Sequence, residues 1–188
     1  MAAKLIYLLA QTAPLVIAAC AALVSEYAGL LNVGIEGLML FGAFTGISGI
    51  LLSGDIGGLA PALAVSLLLG AGFSMLITYL SLSRKANIYI LGLAINLVAA
   101  GFVSILSTRL FGNRSIVSLP PELLPQPQLI KTVSALLTVL ITSGLVLFCR
   151  YTKPGLRVKI LGKDSAFLDS VGVNTYRLKI AAMGISGA

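Results

Sequence analysis

IGGLAPALAVSLLLGAGFSMLITYLSLS, residues 56–83, contains no charged side chain over 28 positions. About 20 consecutive apolar residues in a helix are enough to cross the roughly 30 Å hydrocarbon core of a bilayer. The stretch reads as membrane-spanning, either as one tilted helix or as a broken one. Four further uncharged runs of comparable length surround it, Leu5–Ser25, Gly37–Gly54, Ala86–Thr108 and Thr132–Cys149. A sixth apolar stretch starts at Ile180 and stops at Ala188, too short to cross. The expected fold is therefore all-α, a polytopic transmembrane helical bundle with about five complete membrane segments plus the start of another. The abrupt stop at Ala188 suggests a chain truncated at its C-terminus.

Composition agrees. The 188 residues are 58% hydrophobic and 10% charged, with a mean hydropathy of +1.04. Soluble domains carry about 25% charged residues, so a cytosolic enzyme, a secreted disulfide scaffold and a disordered tail are all excluded. Lys4 and the apolar stretch ending at Cys20 superficially resemble a lipoprotein signal. Hydrophobicity continues through Val24 without a polar linker, so residues 5–25 read as a retained helix. Cys20 and Cys149 lie inside apolar runs and read as small hydrophobes.

The breaks between runs are short turns at 53–58 and 83–85, and a longer connection from Arg109 to Lys131. Pro120, Pro121, Pro125 and Pro127 exclude a continuous helix through that connection. The 13 basic residues outnumber 6 acidic ones, and the basic ones cluster between apolar runs, seven of them in 150–179. That clustering matches cytoplasmic loops under the positive-inside rule, not a nucleic-acid surface, so no nucleic-acid partner is expected. Residues 150–179 are placed in the cytoplasm, and five crossings then put the N-terminus outside.

Catalytic chemistry has little to work with. There is no His, no CxxC, no GxSxG and no useful acid pair. Gly162-Lys163-Asp164-Ser165 superficially resembles a phosphate loop, but Arg157 stands where its first Gly belongs and Asp164 where Ser or Thr must follow the Lys. No catalytic residue, metal ligand or cofactor is expected, and the chain is not read as an enzyme.

The informative residues are the exceptions to apolarity: Glu26, Asn32, Glu36 and Asn96. An ionisable group exposed to lipid costs roughly 2.5–3.5 kcal/mol or more, so such residues face a bundle interior, a cavity or an interface. Asn32 and Glu36, four apart, would share one helical face. They either line a polar route, hold a broken helix, or lie in a surface loop at 26–36. Asn96, in mid-segment, reads as a pathway residue or a helix–helix hydrogen bond. Small residues recur every four positions at Ser66, Gly70, Ser74 and Thr78, at Gly42 and Gly46, and at Gly92, Asn96, Ala100, Ser104 and Thr108. These are packing seams or the lining of a pathway. Lys163–Val171 can form a short amphipathic helix with Ala166, Phe167 and Val171 apolar and Lys163, Asp164 and Asp169 polar, punctuated by Gly162 and Gly172. It suits docking of a soluble partner, with a solvated loop as the plainer alternative.

EYAGLLNVGIEGLMLFGAF at 26–44 closely resembles an "ERAG-xx-NIGIEG-xMLxGAF" signature. LGLAINL at 91–97 is similar to a "SGLALNL" helix, and KPGLRVKILG at 153–162 with VGVN at 171–174 is similar to an "xGLRLRAVGENPxAAxxxGIN" loop. Ser186-Gly187-Ala188 fits an "LSGALAGLAG" helix opening. These are motifs of the inner-membrane permease subunits of bacterial ABC importers in the branched-chain amino acid/ribose-like family. The version here looks most like the nucleoside-type branch.

The resemblance implies one permease domain over 1–188, with 150–179 as its cytoplasmic coupling loop. Gly162, Lys163, Asp164, Ser165, Ala166, Phe167, Leu168, Asp169 and Gly172 would form the coupling helix, and Asn32, Glu36 and Asn96 are pathway candidates. The implied partners are a second permease subunit, an ABC ATPase subunit, an extracytoplasmic substrate-binding lipoprotein and the lipid bilayer. The implied function is import of a nucleoside-like solute across the bacterial inner membrane, with riboflavin or a simple sugar as alternative solutes. A secondary transporter or channel is the alternative of a different class. Family members run longer than this chain, and Lys163, Asp164 and the run 167–170 depart from the usual loop pattern.

Overall fold

The computed structural model describes residues 2–112, 120 and 127–188. All regular structure among them is helical: α1 (Ala2–Tyr27), α2 (Ile35–Ser53), a 3₁₀ turn (Ile56–Gly58), α3 (Leu59–Arg84), α4 (Ile88–Phe111), α5 (Pro127–Tyr151), α6 (Lys153–Leu161), α7 (Ser165–Ser170) and α8 (Thr175–Gly187). Five helices are long and apolar enough to cross a membrane, spanning Tyr7–Tyr27, Ile35–Ser53, Ile56–Arg84, Ile88–Phe111 and Gln128–Tyr151. Their outward faces are apolar, with Leu68 74% and Leu97 75% exposed, as lipid-facing helices require.

The run at 56–83 is one helix led in by a single 3₁₀ turn. Asp55 accepts from the Ile56 N–H at 2.6 Å, and Pro61 sits in the first turn of α3, where a missing N–H costs nothing. Most of the proline-rich connection, 113–119 and 121–126, lies outside the described residues. Pro127 opens α5.

The chain packs as two compact units. One comprises Met1–Leu30 and Pro125–Ala182, the other Leu31–Leu124 and Met183–Ala188.

In the first unit α1 and α5 run parallel and in register. Lys131 Nζ lies 4.8 Å from the Tyr7 ring centroid, and Cys20 Sγ lies 3.7 Å from Thr142 Oγ1. Parallel spans must be separated by an odd number of crossings, and α2, α3 and α4 supply three. The segment after α5 is largely helical. Thr152 caps α6, its Oγ1 accepting from the Gly155 N–H at 3.1 Å and donating to the Phe148 carbonyl at 2.6 Å. Val158 and Leu161 of α6, Leu168 of α7, Ala182 of α8 and Val24 and Ala28 near the end of α1 form one buried cluster.

The C-terminus of α1 ends on Gly29 at φ +74°, with the Leu30 N–H donating to Ser25 O at 3.0 Å and the Gly29 N–H to Glu26 O at 2.9 Å. This is a Schellman closure, which needs a residue tolerant of left-handed backbone. The Tyr27 carbonyl is taken instead by the Gly162 N–H at 3.0 Å. Gly29 and Gly162 touch backbone to backbone: a Cβ on Gly29 would sit 3.1 Å from Gly162 Cα, and one on Gly162 would sit 2.6 Å from Tyr27 O.

The amphipathic helix expected over Lys163–Val171 is shorter, Ser165–Ser170. Asp164 accepts from the Phe167 N–H at 2.9 Å and so fixes the helix start after itself, leaving Lys163 in the preceding turn. Its buried residue is Leu168, while Phe167 and Val171, of the expected apolar side, are 53% and 63% exposed.

In the second unit α2 and α3 form an antiparallel hairpin and α4 runs parallel to α2. Phe41 stacks on Phe73 at 5.6 Å and meets Phe102 at 5.6 Å. Gly70, Ser74 and Thr78 are buried as a seam, with the Gly187 carbonyl against Gly70. A Cβ on Gly42 would meet no other element within 4 Å, so the expected Gly42/Gly46 seam is not a site of close approach; on α2 that falls at Gly37 and Gly49. On α4 the buried positions are Gly92, Ala99 and Ser107, whereas Ala100 and Thr108 are exposed. A four-residue repeat advances about 400° per step and drifts roughly 40° off a fixed face each time, so the expected stripe rotates outward after Asn96.

Gly29→Ala places a side chain at positive φ and against Gly162. It should lower stability by about 1–2 kcal/mol, read as an earlier unfolding midpoint of the purified protein in detergent. An unchanged midpoint would count against the Gly29–Gly162 contact.

Candidate functional site: an unwound segment at membrane depth

Residues 31–34 are not helical, yet Asn32 and Gly34 are buried. Asn32 Nδ2 donates to Ser74 Oγ at 3.3 Å and to Ser186 Oγ at 3.1 Å. Ser74 lies ten residues inside Arg84, the charge that ends the apolar stretch of α3. At 1.5 Å per residue that is roughly 15 Å, about half of a 30 Å hydrocarbon core. Open backbone thus reaches the middle of the membrane.

Backbone N–H and C=O groups have no water to turn to at that depth, and irregular chain survives there only when protein or a wet cavity satisfies it. Asn96 on α4 does so with both ends of its amide. Nδ2 donates to the Val33 carbonyl at 3.0 Å, and Oδ1 accepts from the Gly37 N–H at 2.8 Å. Gly34 caps α2 without a side chain, so Asn96 takes the third-residue N–H that an N-cap Ser or Asp would ordinarily accept. A Cβ on Gly37 would lie 2.9 Å from Asn96 Cα; the missing side chain lets the two helices close to hydrogen-bonding distance.

Asn32 is 7% exposed, and its Oδ1 has no hydrogen-bond partner. Turning the amide over would give its oxygen the two serine hydroxyls and leave the NH₂ unpaired instead. In either orientation the side chain offers one free polar end in a buried setting.

The expected Asn32/Glu36 helical face does not form, because α2 begins at Ile35 and Asn32 precedes it. Glu36 is exposed in the first turn of α2, where a carboxylate complements the helix N-terminus. Glu26 is exposed in the last turn of α1, so both acids of 26–36 avoid burial while the amide between them is deeply buried. Of the three pathway candidates, Asn32 and Asn96 each make hydrogen bonds to protein at membrane depth. Sequence reasoning missed Ser186 as a partner of Asn32; a hydroxyl 154 residues away leaves no local signal. Among the described residues no cluster of His, Cys, Asp or Glu could hold a metal ion.

Comparison with known proteins gives a consistent set of matches. The family model described as branched-chain amino acid transport system, permease component, matches residues 4–188. The guanosine ABC transporter permease protein of Bacillus subtilis (strain 168) is 30% identical over 95% of this chain and 61% of its own length. The nucleoside ABC transporter permease protein of Lactococcus lactis subsp. cremoris is 25% identical over 96% of this chain and 62% of its own length. A putative glucose ABC transporter permease protein of Haloferax volcanii is 26% identical over 92% of this chain and 55% of its own length. The chain therefore spans about three-fifths of the length of the first two relatives. No solved structure matches it.

Asn96→Leu strands the Val33 carbonyl and the Gly37 N–H. At about 1–3 kcal/mol for each unpaired buried group, it should sharply reduce the amount of folded protein recovered from membranes. Asn96→Gln, which keeps the amide, should recover more than Leu. Equal recovery of Leu and wild-type protein would show that the two bonds hold nothing.

Proposed function

The chain belongs to the branched-chain amino acid transport system permease family, and we propose that it builds the solute pathway of an ATP-driven importer for nucleoside-like solutes. The observation that carries this reading is likeness over 95% and 96% of the chain to permeases named for guanosine and for nucleosides. The importer would sit in a bacterial inner membrane as a multi-pass protein.

Its own residues divide the work. Asn96 holds the segment at 31–34 open, and Asn32 presents a buried, part-satisfied amide at mid-membrane, where a polar solute needs a hydrogen-bonding partner. Glu36 stands exposed at the entry to α2. A second permease subunit would complete the pathway, and a lipoprotein outside would deliver the solute.

Energy comes from a separate ATPase docked on the cytoplasmic segment 150–179. The exposed Phe167 and Val171 are the apolar contacts on offer, and Leu168 ties α7 into the cluster shared with α1 and α6. Movement of α7 would therefore reach α1. The positive-inside rule places this segment, and the basic pair Arg84-Lys85, on the cytoplasmic side.

The putative glucose permease among the relatives favours one second reading, a simple-sugar solute on the same architecture.

Uptake of radiolabelled guanosine by cells carrying the complete assembly should collapse on ATP depletion, and Phe167→Asp should reduce it to background while membrane insertion stays normal. Normal uptake by the variant would remove the docking role of α7. Uptake into ATP-free vesicles under a proton or sodium gradient would replace the importer by a secondary transporter, and transport of glucose but not nucleosides would select the sugar reading.

A further inference from the structure

In the unit that holds α1, α5 and α6, a groove of about 390 Å³ opens where the end of α5 meets α1 and α6. Arg150 and Lys159 give its lining a charged part, here called the mouth, and Leu23, Leu145 and Val146 an apolar part, the floor. Lys159 Nζ stands 6.0 Å from the centroid of the Tyr27 ring, which forms another wall. No carboxylate lines the groove; the nearest acid in sequence, Glu26, lies outside it.

Two features together define what such a groove can hold. The cations are at the membrane boundary, since Arg150 is the first charge after the uncharged run Thr132–Cys149. The apolar floor continues from that boundary along the spans, with Leu23 42% and Val146 54% exposed. A soluble anion would use the mouth and leave the floor unoccupied. A molecule with a phosphate at one end and an acyl chain at the other uses both. Arg offers a phosphate two parallel N–H donors, and Lys a point charge on a flexible stem. Basic pockets between transmembrane helices on the cytoplasmic side suit acidic lipid headgroups for the same reasons.

We propose that this groove is a binding site for an anionic phospholipid, whose headgroup phosphate lies between Arg150 and Lys159 and whose acyl chain runs over Leu23, Leu145 and Val146. None of its lining residues is a pathway candidate, and the proposal does not depend on what the permease carries. A lipid seated there would brace α5 and α6 against the end of α1.

The test is a titration of the full chain, purified in mild detergent, by native mass spectrometry with phosphatidylglycerol and with phosphatidylcholine of identical acyl chains. Phosphatidylglycerol should bind more tightly. Each cation removed should weaken it about fivefold, equivalent to about 1 kcal/mol, so Arg150→Gln with Lys159→Gln should lose about 25-fold. Lys153→Gln with Arg157→Gln removes the same charge from the same segment outside the groove and should leave binding nearly unchanged. Arg150→Lys with Lys159→Arg keeps the charges and should retain most of the affinity, which separates lost binding from lost folding. Equal affinity for the two lipids, equal loss in the Lys153/Arg157 variant, or displacement of the lipid by inorganic phosphate at similar concentration would each overturn the proposal.

Discussion

Hydrocarbon does not accept an unpaired peptide group, and this one constraint organises the second unit. The chain between Tyr27 and Ile35 is not helical, so part of it enters the membrane without the internal bonding that lets a helix cross. Asn96 supplies what the missing turns would have supplied, a donor to the Val33 carbonyl and an acceptor for the Gly37 N–H. Once that amide is placed, other details follow. Gly37 must lack a side chain for α2 to come close enough, and Gly92, one turn before Asn96, lies against Val33 for the same reason. Asn32 is then carried to the depth of Ser74 and Ser186.

The first unit answers the same constraint differently. The carbonyls at the end of α1 are closed by a local Schellman turn, and Tyr27 O by a donor from α6. The two units thus meet one physical demand with two devices, a remote side-chain amide and a remote peptide N–H.

Much of the fold was legible in residues. Five uncharged runs become five membrane-length helices, because apolar length is a property of a single segment and needs no partner. The polar exceptions were also visible: Asn96 in mid-run is anomalous wherever it points. What was not legible was the partner. Nothing near Asn96 in sequence indicates Val33 or Gly37, and nothing near Asn32 indicates Ser186. The helical face expected for Asn32 and Glu36 failed because residue spacing presumes a helix, and the break before Ile35 is maintained by a residue on α4. The stripe on α4 failed for a geometric reason, a repeat of four on a helix of 3.6. For α7, the Asp164 cap settled a start that the alternation of polar and apolar residues had placed too early.

The joint between α1 and α6 has a property that side-chain contacts lack. The Gly162 N–H bonds the Tyr27 carbonyl, and Gly29 packs on Gly162, so both surfaces are main chain. Substitutions elsewhere along α6 and α7 can change exposed side chains such as Phe167 without altering this main-chain joint. The departures from the family pattern at Lys163, Asp164 and 167–170 all lie beyond Gly162. Under the function proposed above, the docking face is free to change while its tie to α1 stays the same.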